Sequence, residues 1–176
     1  MKLGTLSFDP LSHHPELAAK PIQEKIAQGD FSKGVFVSAV DPDLADTASF
    51  CEAYGVGLEM SANCIIVEAK RGDVTRYAAC MILATDMIDV NGKVRRYLDA
   101  RKVSFASRDT ALKLTGMEYG GVTPLGLPDD WSILIDAPVL AQKQVIVGGG
   151  IRGSKILIET ETLASLPNAV VLDIAK

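Results

Sequence analysis

Short strand-like runs alternate with short helix-like segments through most of this chain. Residues 34–40, "GVFVSAV", are rich in β-branched and aromatic residues and predict a strand. Residues 41–55, "DPDLADTASFCEAYG", have apolar residues at helical spacing, Asp in the first turn and Gly55 after the end, which predicts a helix. Continued along the chain, such patterns give about eight strands and four or five helices. This element order predicts an α/β or α+β domain with a mixed sheet.

A β-hairpin is the clearest local prediction. "CIIVEA" and "RYAACMILA" flank the charged turn "KRGDV", which contains Gly72. Asn91 and Ser107 stand where helix N-caps are expected, and Gly116 closes the second of these helices. The remaining predicted strands are "KVSFA", "WSILIDA", "KQVIVGG", "SKILIET" and "AVVLDIA", and the remaining predicted helices are "PIQEKIAQGD" and "TLASLP".

The size and composition predict one globular domain over residues 1–176. With 176 residues, the chain can close a hydrophobic core without disulfides or metals. Hydrophobic residues make up 48% of it, yet its apolar runs are too short to cross a bilayer, and its N-terminus lacks a signal-peptide core. We therefore expect a cytoplasmic protein with no membrane partner.

Charge is distributed unevenly. The net charge is −4, which disfavours a protein that coats nucleic acid. Residues 93–113, however, carry seven Lys or Arg against two Asp. Such a segment can contact a phosphate backbone locally, or it can be an ordinary solvated helix face. From charge alone, the second interpretation is favoured.

Several common kinds of site are disfavoured by the sequence. The cysteines are Cys51, Cys64 and Cys80, an odd number at wide spacing, and the two histidines, His13 and His14, lie far from them. A disulfide framework, a zinc site or a Cys–His nucleophile is therefore not expected. "GGGIRG" at residues 148–153 lacks the Lys-Ser/Thr of a Walker loop and the spacing of a dinucleotide-binding loop. No metal or cofactor is predicted.

The loop "GMEYGGVTPLGLPDD" at residues 116–130 combines flexible glycines with rigid prolines. Gly120 and Gly121 can present backbone N–H groups without side-chain obstruction, while Pro124 fixes the exit of the loop. The segment is thus either an oxyanion-binding pocket or an ordinary connection between a helix and a strand. Asp136, at the end of a predicted strand, is equally well interpreted as a site carboxylate or a turn former.

Three segments in a fixed order carry a family resemblance. "LTGMEYGGVTPLGL", "ILIDAPVL" and "VIVGGGIRGSKILI" resemble the C-terminal signature of the YbaK/EbsC family, editing domains related to the insertion domain of bacterial prolyl-tRNA synthetases. The resemblance covers roughly residues 35–175 and leaves residues 1–33 as a divergent N-terminal segment. It implies a mixed, largely antiparallel sheet curved around a pocket in which mischarged aminoacyl-tRNA is hydrolysed.

The resemblance also implies the site residues and partners. Backbone amides of the loop would stabilise the oxyanion, and the glycine-rich turn would line the pocket beside the terminal adenosine. The implied partners are the 3′ end of a mischarged aminoacyl-tRNA and, further, an aminoacyl-tRNA synthetase. The expected catalytic residues are Asn63, Gly120, Gly121 and Thr123, and the expected substrate-binding residues are Pro124, Asp136, Gly149, Gly150, Arg152 and Gly153.

One position departs from the family pattern. Family members with deacylase activity carry a lysine at the start of the first core strand, where this chain has Asn63, which brings no charge. Lys70, Arg71 and Lys155 are candidate substitutes. Without a substitute, the alternative is a binding module for an aminoacyl-adenosine-like ligand or a tRNA end. A third possibility is hydrolysis of a small acyl or amide metabolite.

Overall fold

The computed structural model describes residues 1–176 and contains eleven strands and six helices. The strands are β1 (Lys2–Leu3), β2 (Leu6–Ser7), β3 (Asp9–Pro10), β4 (Val35–Ala39), β5 (Ala62–Arg71), β6 (Val74–Leu83), β7 (Lys102–Phe105), β8 (Ser132–Asp136), β9 (Gln144–Gly148), β10 (Ser154–Glu159) and β11 (Ala169–Leu172). The helices are α1 (Lys20–Ala27), α2 (Thr47–Tyr54), α3 (Arg95–Tyr97), α4 (Arg108–Thr115), α5 (Ala137–Ala141) and α6 (Thr160–Ala164).

Two sheets form the framework, together with the small β1–β2 hairpin. The five-stranded sheet has the order β11-β8-β6-β5-β7, in which β8 is parallel to both β6 and β11 and the remaining pairs are antiparallel. The four-stranded sheet has the order β3-β4-β10-β9 and is antiparallel throughout. The predicted mixed, largely antiparallel architecture is confirmed, divided between two sheets.

The sheets enclose the main core and approach each other at the start of β5. The largest buried cluster draws Ile66 and Ile133 from one sheet and Val37 and Ile156 from the other. A parallel bridge between Ser61 and Ile146 connects the residue preceding β5 to β9. This junction leaves room for a cavity between the beginning of β5, β9 and the N-terminus of α2.

The second face of the five-stranded sheet is covered by the segment around residues 88–100. Val90 and Val94 of this segment pack on Val67 and Leu134. The predicted N-cap at Asn91 is wrong. Asp89 is the cap instead, accepting hydrogen bonds from the amides of Gly92 (2.9 Å) and Lys93 (3.2 Å) at the start of a π-helical turn.

The other local predictions are mostly confirmed. The hairpin forms with Arg71 opposite Val74, and Ser107 caps α4 by accepting a bond from the Thr110 amide. Gly55 and Gly116 adopt the left-handed conformation that ends α2 and α4. Helix α5 and the short strands β1–β3 were not predicted. No helix has the length and apolar character needed to cross a membrane.

Candidate active site

A cavity of about 690 Å³ lies at the junction of the two sheets. Its walls come from the start of β5 (61–65), the N-terminal part of α2 with the preceding turn, β9, and the loop between α4 and β8. Among the residues that line the cavity, those with polar side chains or backbone groups suited to binding a ligand are Asn63, Gly120, Val122, Arg152 and Lys155. The structure therefore brings three of the predicted site residues, Asn63, Gly120 and Arg152, into one cavity.

Asn63 occupies the cavity wall formed by β5. Its side-chain oxygen accepts a hydrogen bond of 2.9 Å from the Thr47 hydroxyl at the start of α2. The side-chain NH₂ group has no hydrogen-bond partner within the protein, so it can donate to a bound molecule. Asn63 thus lies where the resemblance implied, although it carries no charge.

Lys155 brings a buried positive charge to the opposite wall. The side chain extends from β10 and is only 6% exposed, and its Nζ donates a 2.7 Å hydrogen bond to the Ala45 carbonyl. The ammonium also lies 5.2 Å from the centre of the Phe50 ring, and it forms no ion pair. Burial lowers the pKa of Lys155, and Arg152 contributes in the same direction, while Cys51 and Asp46 oppose the shift.

The other two candidate cations lie elsewhere. Lys70 and Arg71 are at the far end of β5, where they pair with Glu68 (2.7 Å) and with Asp99, respectively. Neither lines the cavity. Of the three candidates, only Lys155 can supply a charge to the site.

The loop that follows α4 offers backbone donors. Gly120 lines the cavity with a φ of +81°, a conformation that favours glycine. The amides of Gly120 and Val122 have no hydrogen-bond partner within the protein. They are the donors available to an oxygen atom in this part of the cavity.

Gly121 has a different role from the predicted one. It is buried, its amide donates to the Glu118 carbonyl (3.0 Å), and its carbonyl accepts from the Gly150 amide (2.7 Å). A Cβ atom at Gly121 would approach the Ile151 backbone to 2.8 Å. Gly121 therefore permits close packing of two loops, and its N–H is not free to bind an oxyanion.

The glycine-rich turn is mainly structural. The Gly149 carbonyl accepts from the Ala19 amide (3.0 Å), and the Gly153 carbonyl accepts from the Val40 amide (2.9 Å). A Cβ atom at Gly150 would lie 2.4 Å from the Cβ of Ala19. None of Gly149, Gly150 and Gly153 lines the cavity, whereas the preceding Gly148 does.

Arg152 connects this turn to the cavity mouth. Its guanidinium donates to the Tyr119 carbonyl (3.1 Å) and the Pro42 carbonyl (2.9 Å). Its backbone amide donates to the Glu118 carboxylate (2.7 Å). The predicted position of Arg152 at the pocket is thus found, with part of its donor capacity used to hold the loop.

Three further predicted site residues also lie outside the cavity. Thr123 is fully buried, and its hydroxyl has no hydrogen-bond partner. Pro124 lines a separate cavity of about 350 Å³ beside Trp131. Asp136 is buried at the end of β8, where Oδ1 accepts from the amides of Ile174 (2.8 Å) and Ala175 (3.2 Å). Asp136 therefore anchors the C-terminal segment.

Two other cavity residues, Asp46 and Tyr119, have only weak signals in the sequence. Asp46 is the N-cap of α2, and its side chain accepts from the Ser49 amide (3.2 Å). Hydrogen bonding to the Ser49 side chain, and then to the Ser49 amide, lowers the pKa of Asp46. Tyr119 is 52% exposed at the mouth, with the Arg108 guanidinium 3.8 Å from the centre of its ring. The Asp cap was predictable locally, but the placement of Tyr119 depends on the fold.

The cavity is suited to binding an oxygen that gains negative charge. A buried ammonium, a neutral side-chain amide and two backbone amides can donate hydrogen bonds. Cys64 also lines the cavity, but burial raises the pKa of its thiol far above the usual range, so it stays protonated. The arrangement can stabilise a tetrahedral oxyanion formed by attack of water.

Comparison with known proteins gives the family. Residues 41–166, more than two thirds of the chain, match the aminoacyl-tRNA editing domain family. A candidate trans-editing enzyme for prolyl-tRNA synthetase has a similar fold, with a TM-score of 0.75, 18% identity, and coverage of 97% of this chain and 99% of that one. The crystal structure of a hypothetical protein matches with a TM-score of 0.76, 22% identity, and coverage of 89% and 100%. This chain belongs to the aminoacyl-tRNA editing domain family.

Proposed function

We propose that this protein is a free-standing aminoacyl-tRNA deacylase that acts in trans. It hydrolyses the ester that joins a wrong amino acid to the 3′ end of a tRNA. Membership of the editing-domain family supports this activity and its substrate. The fold similarity to a candidate trans-editing enzyme is consistent with it.

The observation that carries the proposal is the meeting of Asn63, Gly120 and Lys155 in one cavity. The ammonium of Lys155 is buried without a carboxylate partner, which is costly unless it serves another purpose. Two of its three N–H donors remain for a ligand after the bond to the Ala45 carbonyl. A developing oxyanion is the kind of group that this charge would stabilise.

The proposed reaction uses water as the nucleophile. Water attacks the ester carbonyl carbon, whose oxygen becomes an oxyanion that accepts hydrogen bonds from Lys155 and from the amides of Gly120 and Val122. The bond between the carbonyl carbon and the ribose oxygen then breaks, and the ribose oxygen receives a proton derived from the water. The products are a free amino acid and a tRNA with a free terminal hydroxyl.

Asn63 takes part as a positioning group. The Thr47 hydroxyl fixes its side chain, and its free NH₂ group can orient the ester or the attacking water. The charge that relatives place at this position comes here from Lys155, on the other sheet. The loss of the family lysine is thus compatible with catalysis.

The experiment that tests the function is a deacylation assay with a panel of mischarged tRNAs. We expect hydrolysis of at least one aminoacyl ester above the rate without protein. Background rates throughout, with retained binding of an aminoacyl-adenosine analogue, would instead support a binding module. Turnover of simple acyl esters alone would indicate a metabolite hydrolase.

A further inference from the structure

Most of the cations in the basic segment at residues 93–113 have no carboxylate partner. Of its seven Lys and Arg residues, only Lys93 forms an ion pair, with Asp173 at 2.8 Å. The others are all exposed and free of ion pairs: Arg95, Arg96, Arg101, Lys102, Arg108 and Lys113. In a chain of net charge −4, this is an unusual local excess of positive charge.

One end of this segment reaches the mouth of the candidate active site. The guanidinium of Arg108 lies 3.8 Å from the centre of the Tyr119 ring, and that of Arg152 lies 6.0 Å from it. Tyr119 lines the cavity and is 52% exposed. An exposed aromatic ring flanked by two guanidinium groups is suited to stacking of a nucleobase.

From the mouth, strand β7 leads away along the edge of the five-stranded sheet. Its last residue, Phe105, is 59% exposed opposite Val67, and its first, Lys102, lies opposite Lys70. Along β5, the positions of Asn63 and Lys70 are separated by about 23 Å at a strand rise of about 3.3 Å per residue. The cavity and the far end of β7 are therefore separated by the length of several nucleotides.

We infer that Arg101, Lys102 and Arg108, here called the β7 cationic edge, bind the phosphate backbone of the tRNA acceptor end. Tyr119 stacks on a base close to the ester. This inference rests on the proposed function and adds the path that the RNA takes from the cavity. Cations along an edge with exposed aromatic rings at its cavity end are typical of surfaces that follow a nucleic-acid strand.

Protection of the edge strand does not account for these charges. A lysine on an edge strand prevents pairing with another chain, which would explain Lys102 alone. Arg101 and Arg108 flank the strand, and neither forms an ion pair. Lys102 also lies opposite Lys70, whose ammonium is already paired with Glu68 at 2.7 Å, so Lys102 has no ion-pair partner of its own.

The test is the salt dependence of binding of uncharged tRNA to the full-length protein. The variant Arg101→Glu with Lys102→Glu should bind at least about tenfold more weakly, and the slope of log K against log salt should become shallower by about two, one for each lost phosphate contact. The exposed Lys143, which immediately precedes β9 and does not line the cavity, gives the control variant Lys143→Glu, which should keep both values. Replacing both Arg101 and Lys102 with Gln should also weaken binding and make the slope shallower, without reversing the charge.

A second measurement separates this inference from the proposed function. The double Glu variant should lose kcat/KM for a mischarged tRNA but keep that for the same amino acid esterified to adenosine. An unchanged salt slope in both double variants would overturn the inference, even if the ester is hydrolysed. Conversely, the native protein could show the predicted binding but hydrolyse neither substrate. That result would disprove the proposed function while still supporting the inferred RNA-binding surface.

Discussion

In the proposed mechanism, Lys155 and Asn63 share the chemistry that the family resemblance assigns to a single lysine. Asn63 keeps the position at the start of β5 and makes a neutral hydrogen bond with Thr47. Lys155 keeps the charge, in a place where it is only 6% exposed and has no anionic partner. Hydrogen bonds from a charged donor are stronger than neutral ones, so the loss of Lys155 should affect the reaction more than the loss of Asn63.

Lys155→Met should reduce kcat/KM for a mischarged tRNA by roughly tenfold to a hundredfold, because a charge-assisted contact contributes about 1.5–3 kcal/mol. The fold should be kept, since burial of an unpaired charge is itself costly and its removal offsets the loss of the hydrogen bond to the Ala45 carbonyl. Lys143→Met, at an exposed site, is the matched control. Equal activities of the two variants would remove Lys155 from the mechanism.

The pH profile provides a separate test of Lys155. Because burial lowers its pKa, the ammonium is lost at a lower pH than for an ordinary lysine. The advantage of the native protein over Lys155→Met should therefore decline as the pH rises, before the range in which exposed lysines titrate. The titratable groups that act on this pKa are Asp46, Cys51 and Arg152, and because Arg152 lowers it, Arg152→Gln should move the decline to higher pH. A constant ratio of the two activities up to the ordinary lysine range would contradict this.

Glycines that look equivalent in the sequence differ in whether the structure has room for a side chain at their position. The sequence predicts that Gly121 presents a free backbone N–H, whereas the structure packs it so closely that an added Cβ atom would meet the Ile151 backbone at 2.8 Å. Gly121→Ala should therefore destabilise the protein by about 1–3 kcal/mol through overpacking. At Gly153, the nearest atom to a Cβ would be 3.8 Å away, so Gly153→Ala should have little effect on denaturant unfolding. Equal unfolding midpoints would show that the loops adjust freely.

At the scale of elements, the sequence predicted the helices and strands whose positions are determined by local signals. The β5–β6 hairpin follows from two apolar runs around Gly72, and α2 and α4 end at Gly55 and Gly116 in left-handed conformations. Strands such as β3, with two residues, form only by pairing with distant segments. No local pattern specifies such pairings, which is why they were not predicted.

Asp136 shows how a residue that anchors a structural element can be mistaken for a site residue in the sequence. Its carboxylate lies at the end of β8, fully buried, and accepts from two amides of the segment that follows β11. Asp136→Ala should leave these amides unpaired and lower the free energy of unfolding by about 1–3 kcal/mol. Hydrogen exchange should show faster exchange of the Ile174 and Ala175 amides. Unchanged exchange with reduced hydrolysis would restore Asp136 as a substrate-binding residue.

At the scale of the whole molecule, the cavity is a product of topology. Asn63 belongs to the five-stranded sheet and Lys155 to the four-stranded one, and the two meet only because the bridge from Ser61 to Ile146 joins the sheets there. Of the ten site residues predicted from the family motifs, three line the cavity: Asn63, Gly120 and Arg152. Whether Lys70, Arg71 or Lys155 lies in the cavity depends on how the two sheets pack. The spacing of these residues along the chain does not reveal that packing.

The most direct test of this account moves the cation from one sheet to the other. The measurement is kcat/KM for a mischarged tRNA that the native protein hydrolyses, compared among the native protein, Lys155→Met, and Lys155→Met combined with Asn63→Lys. We predict a loss in the single variant and recovery to within about tenfold of the native value in the double variant, because the same cavity regains a charged donor. Full activity of Lys155→Met, or no recovery in a folded double variant, would contradict the claim that a lysine in this cavity stabilises the transition state.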